Sequence, residues 1–377
     1  MNHPPLTARA VRTRAVAVPM KRPLGTSAAR MDLAPFVLVD LETEEGITGR
    51  AHAFCYLEIA APLLRQVIEF AGEMIAGTAV DPARIGRLHC ARFALLGTQG
   101  VVGMALSALD VACWDALARA ADLPLSRYVG RYLGGPADAV LDTVPAYNSN
   151  GLSLGPSDPA GLAEEAQALL AEGFDALKIR LGRADPREDL RAVEAVRAAI
   201  PAASHLMADY NQALRVAEAI QRGQLLDDHG LYWIEEPVSH DDLVGSARVA
   251  DALRTPVQSG ENFCGPKVLA TAIALKSNDY VMPDLMRIGG VSGWLEAAAL
   301  ARSANLPMSS HLYPEVSAHL LAATPGAHWL EYVDWAEPFI ATGVSVSAGK
   351  AKVPDTPGTG VIWDEDAISR YAVERTA

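Results

Sequence analysis

Cations, paired cysteines and long apolar runs are all scarce in this sequence, and each shortage removes a class of function. Lys and Arg number 32 against 45 Asp and Glu, a formal net charge of −13. Polyanion binding relies on Lys and Arg neutralising phosphates, and no basic cluster escapes the average, so nucleic acid is not an expected partner. The four cysteines, Cys55, Cys90, Cys113 and Cys264, are widely scattered and form no Cys-x-x-Cys pair, which argues against a zinc site or a disulfide framework. No uninterrupted apolar run reaches the roughly 18 residues of a membrane span. Nothing resembling a secretory signal opens the chain. Arg9, Arg12 and Arg14 suggest a transit peptide, but residues 11–19 alternate like a first strand, which is the preferred reading. A reduced, cytoplasmic protein is expected, with no membrane partner. Repeats and low-complexity segments are also absent.

What is present fits two domains. At 377 residues, half of them hydrophobic and a fifth charged, the chain exceeds one ordinary core and leaves room for a barrel of about 250 residues. From residue 204 onward, strand-length apolar runs end again and again in a polar residue: Asp209, Glu235, Glu261, Asp284, His311 and Glu331. These run-ends fall between 20 and 27 residues apart, the length of one strand, one loop and one helix. Ala- and Leu-rich stretches at 214–225 and 293–304 have the i, i+3, i+4 spacing of helices. The rhythm is that of a β/α barrel, whose chemistry lies at the C-terminal ends of the strands. A carboxylate after a strand is often only the cap of the next helix. Six polar run-ends in register outweigh that reading.

Ahead of the barrel, residues 6–133 read as α+β. Strands are expected at 8–18, 34–41 and 48–54, with a loop at 19–33 and a hairpin turn at Gly46. Helices follow, including one at 103–121 with a buried face. Gly134-Gly135-Pro136 looks like a linker, dividing a first domain, 1–133, from a barrel, 134–332. Within the barrel a first strand is expected at 143–147, leading to Asn148, Ser149 and Asn150, then a helix at 159–172 and a strand at 176–181. Lys178 and Arg180, two apart on that strand, point the same way, either into the bowl or to solvent. The last segment, 333–377, is less regular, and its loops around Ala348-Gly-Lys and 354–360 are expected to pack back on the first domain.

Asp209, Glu235 and Glu261 offer only oxygen, with no Cys or His among them. That donor set suits a hard, octahedral Mg²⁺ better than zinc. Glu236 should face away into surrounding structure, with Asn211 and Asn262 as hydrogen-bond donors around the ligands. Asp284 could orient His311 and leave its other ring nitrogen free as a base. His319 and His328 read as structural. Glu331 either donates a proton to a developing oxyanion, if its pKa is raised, or is a plain salt-bridge partner. Ser149 and Lys178 could bind a substrate carboxylate. Together these parts describe removal of a proton next to a carboxylate.

Several motifs carry a family resemblance: Leu-Met-Ala-Asp-Tyr-Asn-Gln (206–212), Trp-Ile-Glu-Glu-Pro (233–237), Gly-Glu-Asn (260–262), Met-Pro-Asp-Leu-Met-Arg-Ile-Gly-Gly-Val (282–291), Pro-Met-Ser-Ser-His-Leu (307–312) and the stretch 317–331. They resemble the mandelate racemase subgroup of the enolase superfamily, over about residues 13–371. The resemblance implies an N-terminal α+β capping domain, a modified TIM barrel of (β/α)7β type, and a C-terminal segment returning to the cap. It implies Mg²⁺ on Asp209, Glu235 and Glu261, a His311–Asp284 catalytic dyad, and Glu331 as the acid beside the substrate carboxylate. Segments 19–33 and 51–57 match those that close over the substrate, which makes Leu24, Arg30 and Tyr56, together with Asn211 and Ser149, candidate substrate contacts. A large homo-oligomer, such as an octamer, is also implied by the resemblance.

Two departures from the family pattern matter. Where the subgroup's racemase has Lys-x-Lys, with the second Lys as a base, this chain has Lys178-Ile179-Arg180, and a guanidinium with a pKa above roughly 12 makes a poor base. Lys21, Arg22, Arg30 and Asp32 also interrupt a covering segment that is apolar in that racemase. They face either solvent or the bowl, and if the bowl, a polyhydroxy acid or diacid fits. The leading expectation is a Mg²⁺-dependent dehydratase of an acid sugar, with Arg180 binding or polarising the substrate. Racemisation or epimerisation of a 2-hydroxy acid such as mandelate, with Arg180 as an unusual second base, comes next. A barrel that binds an acid without turnover is the third reading.

Overall fold

The computed structural model describes residues 5–27, 29–135, 140–155 and 158–373. Pro136 of the expected linker and Ala28 of the covering segment lie outside them. The first domain is an antiparallel sheet in the order β1 (Ala8–Gly25), β2 (Arg30–Thr43), β3 (Thr48–Phe54). The β2–β3 turn closes where Gly46 takes φ +82°, a conformation that favours glycine. Helices α1 (Ala60–Glu73), α2 (Pro82–Arg92), α3 (Gly100–Ala120) and α4 (Leu125–Tyr132) follow. α3 is long and apolar enough to cross a membrane, but 72% of that stretch is buried inside the protein, where it is a core helix. β3 lies directly on it, because at Gly49 an added Cβ would come within 2.0 Å of the Ala112 carbonyl oxygen.

The expected loop at 19–33 is instead a continuation of the hairpin. β1 runs through to Gly25 and pairs with β2 as far as Gly25↔Arg30, with a register shift between Pro19 and Leu24. β1 is an edge strand, where the N–H that Pro19 and Pro23 lack costs no ladder bond. Its cations are accounted for along the edge: Lys21 pairs with Asp334 and Glu337, and Arg22 with Glu172.

The second domain begins with β4 (Thr143–Asn148) and alternates α5 (Pro159–Ala171), β5 (Ala176–Arg180), α6 (Pro186–Ala199), β6 (His205–Asp209), α7 (Val216–Leu226), β7 (Leu231–Glu235), α8 (Leu243–Ala252), β8 (Val257–Ser259), α9 (Pro266–Leu275) and β9 (Tyr280–Val281). The short α10 (Leu285–Ile288) and α11 (Gly290–Ser303) come next, then α12 (Pro314–Ala322) and β10 (Leu330–Tyr332). Between β9 and β10 the stretch ending at His311 joins the ring through single bridges, Val281↔Met308 and Asp284↔His311, and β10 pairs in parallel with β4 to close it. The result is an α/β fold, a (β/α)7β modified TIM barrel with an α+β cap. Helix starts follow simple chemistry. Asp158, Asp185 and Asp242 cap α5, α6 and α8, and Pro fills the first turn of α5 and α6.

The C-terminal segment divides its contacts between the two domains. Ala348 and Gly349 turn a hairpin of β11 (Val346–Ser347) and β12 (Lys350–Lys352), and β12 adds to the barrel strand β4 rather than to the cap. Strand-compatible residues on both sides of that turn find an unpaired edge there. Further on the chain does return to the cap: Gly358 bonds Leu123 and Leu125, the Trp363 indole donates to Asp40, and α13 (Glu365–Tyr371) brings Glu365 to Arg14.

Asp115, fully buried on α3, ties these pieces together. Its carboxylate accepts from the Arg50 and Thr359 backbone N–H groups, the Thr359 hydroxyl and the Arg119 guanidinium. Removing it leaves two backbone donors and the buried Thr359 hydroxyl without this acceptor and takes the carboxylate from a partly buried guanidinium. Asp115→Ala is expected to destabilise the protein by about 3–5 kcal/mol, read as a lower urea midpoint.

Candidate active site

Parallel register brings the run-ends together. Arg180 pairs with Asp209 and Asp209 with Glu235 across β5, β6 and β7, so side chains at matching heights on neighbouring strands enter one bowl. Glu261 follows β8 through Gly260, whose φ of +137° and close approach to the Met282 backbone leave no room for a side chain. One oxygen each of Asp209, Glu235 and Glu261 lies within 4.8 Å of the others. Asn211 donates to Asp209 from both its backbone and its amide, and the Asn262 amide bridges Glu261 and the buried Glu236.

Lys178 sits among these acids, wholly buried, with its Nζ 2.6 Å from Glu235, 2.8 Å from Glu331 and 3.3 Å from Asp209. Burial alone would lower its pKa, but Glu235, Glu331 and Asp209 hold it well above the ordinary lysine value, so it carries a charge. Burial pushes Glu235 upward, with Lys178 opposing. Asp209, Glu235, Glu261, Asp284 and Glu331 bring five carboxyl groups into a bowl where, among the described residues, two basic side chains, Lys178 and His311, ion-pair with them, an excess of acids over bases. An all-oxygen donor set with that excess fits a hard divalent cation.

Opposite the acids, His311 Nδ1 is 2.7 Å from Asp284 Oδ2, while its Nε2 faces Glu261 at 3.3 Å and Glu331 at 3.8 Å. The other Asp284 oxygen caps α10 by accepting from Met286 and Arg287 N–H, so this residue is both a helix cap and the histidine's partner. Burial would lower the His311 pKa, but Glu261, Glu331 and the Asp284 hydrogen bond raise it to about 9. Glu331 departs from one expectation. Burial would raise its pKa, yet Lys178, His311 and the Leu312 N–H hold it well below the carboxylate range, so it is ionised rather than a standing proton donor.

Arg180 also departs from expectation. Its Nη1 donates to the Ser149 and Gly151 carbonyls and its Nη2 to Ser149 Oγ, so these groups brace the loop after β4, while its buried Nε has no partner among the described residues. In that contact the Ser149 hydroxyl accepts, and its own proton is not used there. Among the described residues Arg30 pairs with Asp32 alone, and both are largely solvent-exposed rather than turned into the bowl. Leu24 is buried against Met31 in the covering hairpin. His319 is a structural helix residue, bonded to Ser126 and Thr359.

Sequence reasoning missed Arg287. Its guanidinium lies 4.5 Å over the Tyr56 ring and donates to the Glu261 carbonyl, linking cap and barrel at the rim. Its place three residues after Asp284, one turn along a helix from a candidate catalytic residue, was the available signal. Tyr56 itself holds φ +60°, and its hydroxyl is buried with no hydrogen-bond partner among the described residues.

Comparison with known proteins gives a consistent result. The family described as enolase C-terminal domain-like matches residues 161–367, and the mandelate racemase / muconate lactonizing enzyme N-terminal domain matches residues 8–130. A crystal structure of an enolase from alpha proteobacterium bal199 with bound magnesium is 43% identical over 98% of this chain and 100% of that one, TM-score 0.92. A Bradyrhizobium enolase complexed with magnesium and mandelic acid is 39% identical over 99% and 100%, TM-score 0.91. The L-talarate/galactarate dehydratase of Salmonella typhimurium is 28% identical, covering 88% of this chain and 81% of its own.

The unpaired Tyr56 hydroxyl separates stability from binding. Tyr56→Phe is expected to leave the urea midpoint at or above that of the wild type, since a buried unbonded hydroxyl costs about 1–3 kcal/mol. KM for the acid turned over should rise about fivefold, the equivalent of one lost hydrogen bond of about 1 kcal/mol.

Proposed function

From the premise that this chain belongs to the mandelate racemase / muconate lactonizing enzyme family, we propose that it is a Mg²⁺-dependent enzyme that removes the proton next to a carboxylate, and specifically a dehydratase of an acid sugar. The observation that carries the choice of dehydration is one-sided base chemistry. His311, oriented by Asp284, is the basic group on one side of the bowl, while the position opposite holds Arg180, whose guanidinium is committed to Ser149 and Gly151. Elimination of water needs a single base that can return its proton.

Glu261 is one of the charges that hold His311 protonated; once Glu261 is neutralised as a cation ligand the ring can be neutral, and its Nε2 then accepts the proton from C2 while the C2–H electron pair moves toward the carboxylate. Asp284 holds the ring through Nδ1 and steadies the imidazolium that forms. The hydroxyl on C3 then leaves, taking the proton from His311 and departing as water. The enol left behind tautomerises to a 2-keto-3-deoxy acid. Asp209, Glu235 and Glu261 would hold the Mg²⁺, which, when bound, supplies Lewis-acid stabilisation of the negative charge developing on the carboxylate. Lys178 adds a buried positive charge to the same side. Glu331 lies where the substrate carboxylate would approach, and that added negative charge raises its pKa toward the protonated, donating form. The similarity to L-talarate/galactarate dehydratase supports this reading.

Racemisation or epimerisation of a 2-hydroxy acid is kept as a second reading on a specific observation. The cations of the covering hairpin are spent on rim carboxylates and solvent rather than on the bowl, and the similar Bradyrhizobium structure holds mandelic acid.

Acid sugars and aryl 2-hydroxy acids, assayed side by side for keto acid (as the semicarbazone) and for optical rotation, separate the two readings. Keto acid from a sugar acid, abolished in His311→Asn, is the expected outcome. Loss of rotation without keto acid would overturn dehydration in favour of racemisation. Mg²⁺ at about 100 times its Kd should stabilise the fold by about 2.7 kcal/mol. Asp209→Asn should remove most of that thermal shift, and an unchanged shift would sink the ligand assignment.

A further inference from the structure

Beneath Glu235, polar groups occupy barrel-core positions where apolar ones would pack as well. Gln258 and Ser309 are fully buried beside Trp233, Met207 and Tyr147. A buried amide and hydroxyl are costly unless every hydrogen bond is made, and here they are linked in a line. Tyr232 Oη is 2.8 Å from His328 Nε2, and His328 Nδ1 is 3.3 Å from Ser309 Oγ. Ser309 Oγ is 3.1 Å from Gln258 Oε1, and Gln258 Nε2 is 3.5 Å from Glu235 Oε2 and 3.2 Å from Met282 Sδ.

Chemistry gives the line a direction. As a cation ligand Glu235 is ionised and only accepts, so the Gln258 amide must turn its NH₂ toward Glu235 and Met282 and its carbonyl toward Ser309. That carbonyl only accepts, so the single Ser309 proton is spent on it. Ser309 must then accept from His328 Nδ1–H. Burial holds the His328 pKa down at about 4, with His205 adding to the effect, so the ring is neutral and its Nε2 accepts from the Tyr232 hydroxyl. Every donor points the same way, from the half-buried Tyr232 at the N-terminal face of the barrel to the carboxylate in the bowl. The Trp233 indole donates to the same Glu235 oxygen at 3.0 Å, while Lys178 takes the other oxygen.

We propose that Tyr232, His328, Ser309 and Gln258 form a one-way hydrogen-bond relay through the barrel core that, with Trp233, orients the Glu235 carboxylate from beneath as a cation ligand. These are positioning residues. They touch neither substrate nor reacting atoms and act through Glu235, and the proposal rests on the reading that Glu235 binds Mg²⁺. The longest link, 3.5 Å to Glu235, is also the weakest, so the relay sets orientation and the indole supplies most of the binding at that oxygen.

The test uses full-length, chelator-treated protein titrated with Mg²⁺ in a calorimeter, with urea unfolding of each variant alongside. Gln258→Met and Ser309→Ala are each expected to weaken Mg²⁺ binding about tenfold, within the range seen when groups supporting metal ligands are removed. Turnover should recover at saturating Mg²⁺. In the double variant the urea midpoint should fall by less than the sum of the two single losses, because the Gln258–Ser309 bond is removed from both ends at once and the stranded His328 Nδ1–H accounts for what remains. Unchanged Mg²⁺ affinity in both single variants would overturn the relay. Wild-type protein that does not bind Mg²⁺ would instead sink the cation-site reading on which the relay rests. A second measurement needs no variant: ¹⁵N NMR of histidine-labelled protein should show His328 neutral, with its proton on Nδ1. A proton on Nε2 would reverse the line and rule the proposal out.

Discussion

The structure depends on the crowding of like charge in one bowl. Asp209, Glu235, Glu261, Asp284 and Glu331 point into a space almost sealed from solvent, and a pair of like charges 4 Å apart there opposes folding by about 4 kcal/mol at an effective dielectric constant of about 20. Such a cluster persists only with buried counter-charge and with donors aimed at its oxygens. Lys178, wedged among Glu235, Glu331 and Asp209, provides the first. Asn211, Asn262, Trp233 and the Leu312 N–H provide the second. The same excess of negative charge is what makes the bowl a place for a divalent cation.

The surroundings make the bowl asymmetric. On the β9 side, a four-residue helix capped by Asp284 aims that residue at His311, so one carboxylate serves the backbone and the imidazole together. On the β5 side, Arg180 is turned into a brace for the loop after β4. On the proposed reading, one histidine base and one guanidinium that braces a loop suit chemistry in which the proton leaves and returns on the same side. Over it, the long β1–β2 hairpin brings Lys21 and Arg22 to acidic partners on the barrel rim, so the charges of the cover fasten it rather than line it.

Much of this was legible in the residue order. The barrel follows from apolar runs recurring at a fixed interval, and the acids from their place at the ends of those runs, because a strand followed by a helix imposes its period on the sequence. Asp284 shows where such reasoning needs both of its alternatives, since it proved to be a cap and a partner of His311 at once. The hairpin was harder to read. Two prolines within five residues suggest a loop, and the position of β1 at the edge of its sheet makes them harmless. The hairpin at Ala348 and Gly349 was assigned to the wrong domain for a similar reason: short strands carry little information about which edge they will join.

Composition and period therefore determined the class of this protein: an acidic α/β barrel with a cap, carrying an all-oxygen cluster and a histidine on successive strands. Spacing along a strand states which residues share a face, and that holds whatever the rest of the fold does. It does not state which partner a long side chain will reach. Arg180 and Lys178 share a face of one strand, yet one braces a loop and the other neutralises a nest of acids. Lys21 and Arg30 share a hairpin, yet one binds the rim and the other faces water. Those outcomes were decided by tertiary structure, because hydrogen bonds and ion pairs form between groups that meet only after residues up to about three hundred positions apart have been packed together.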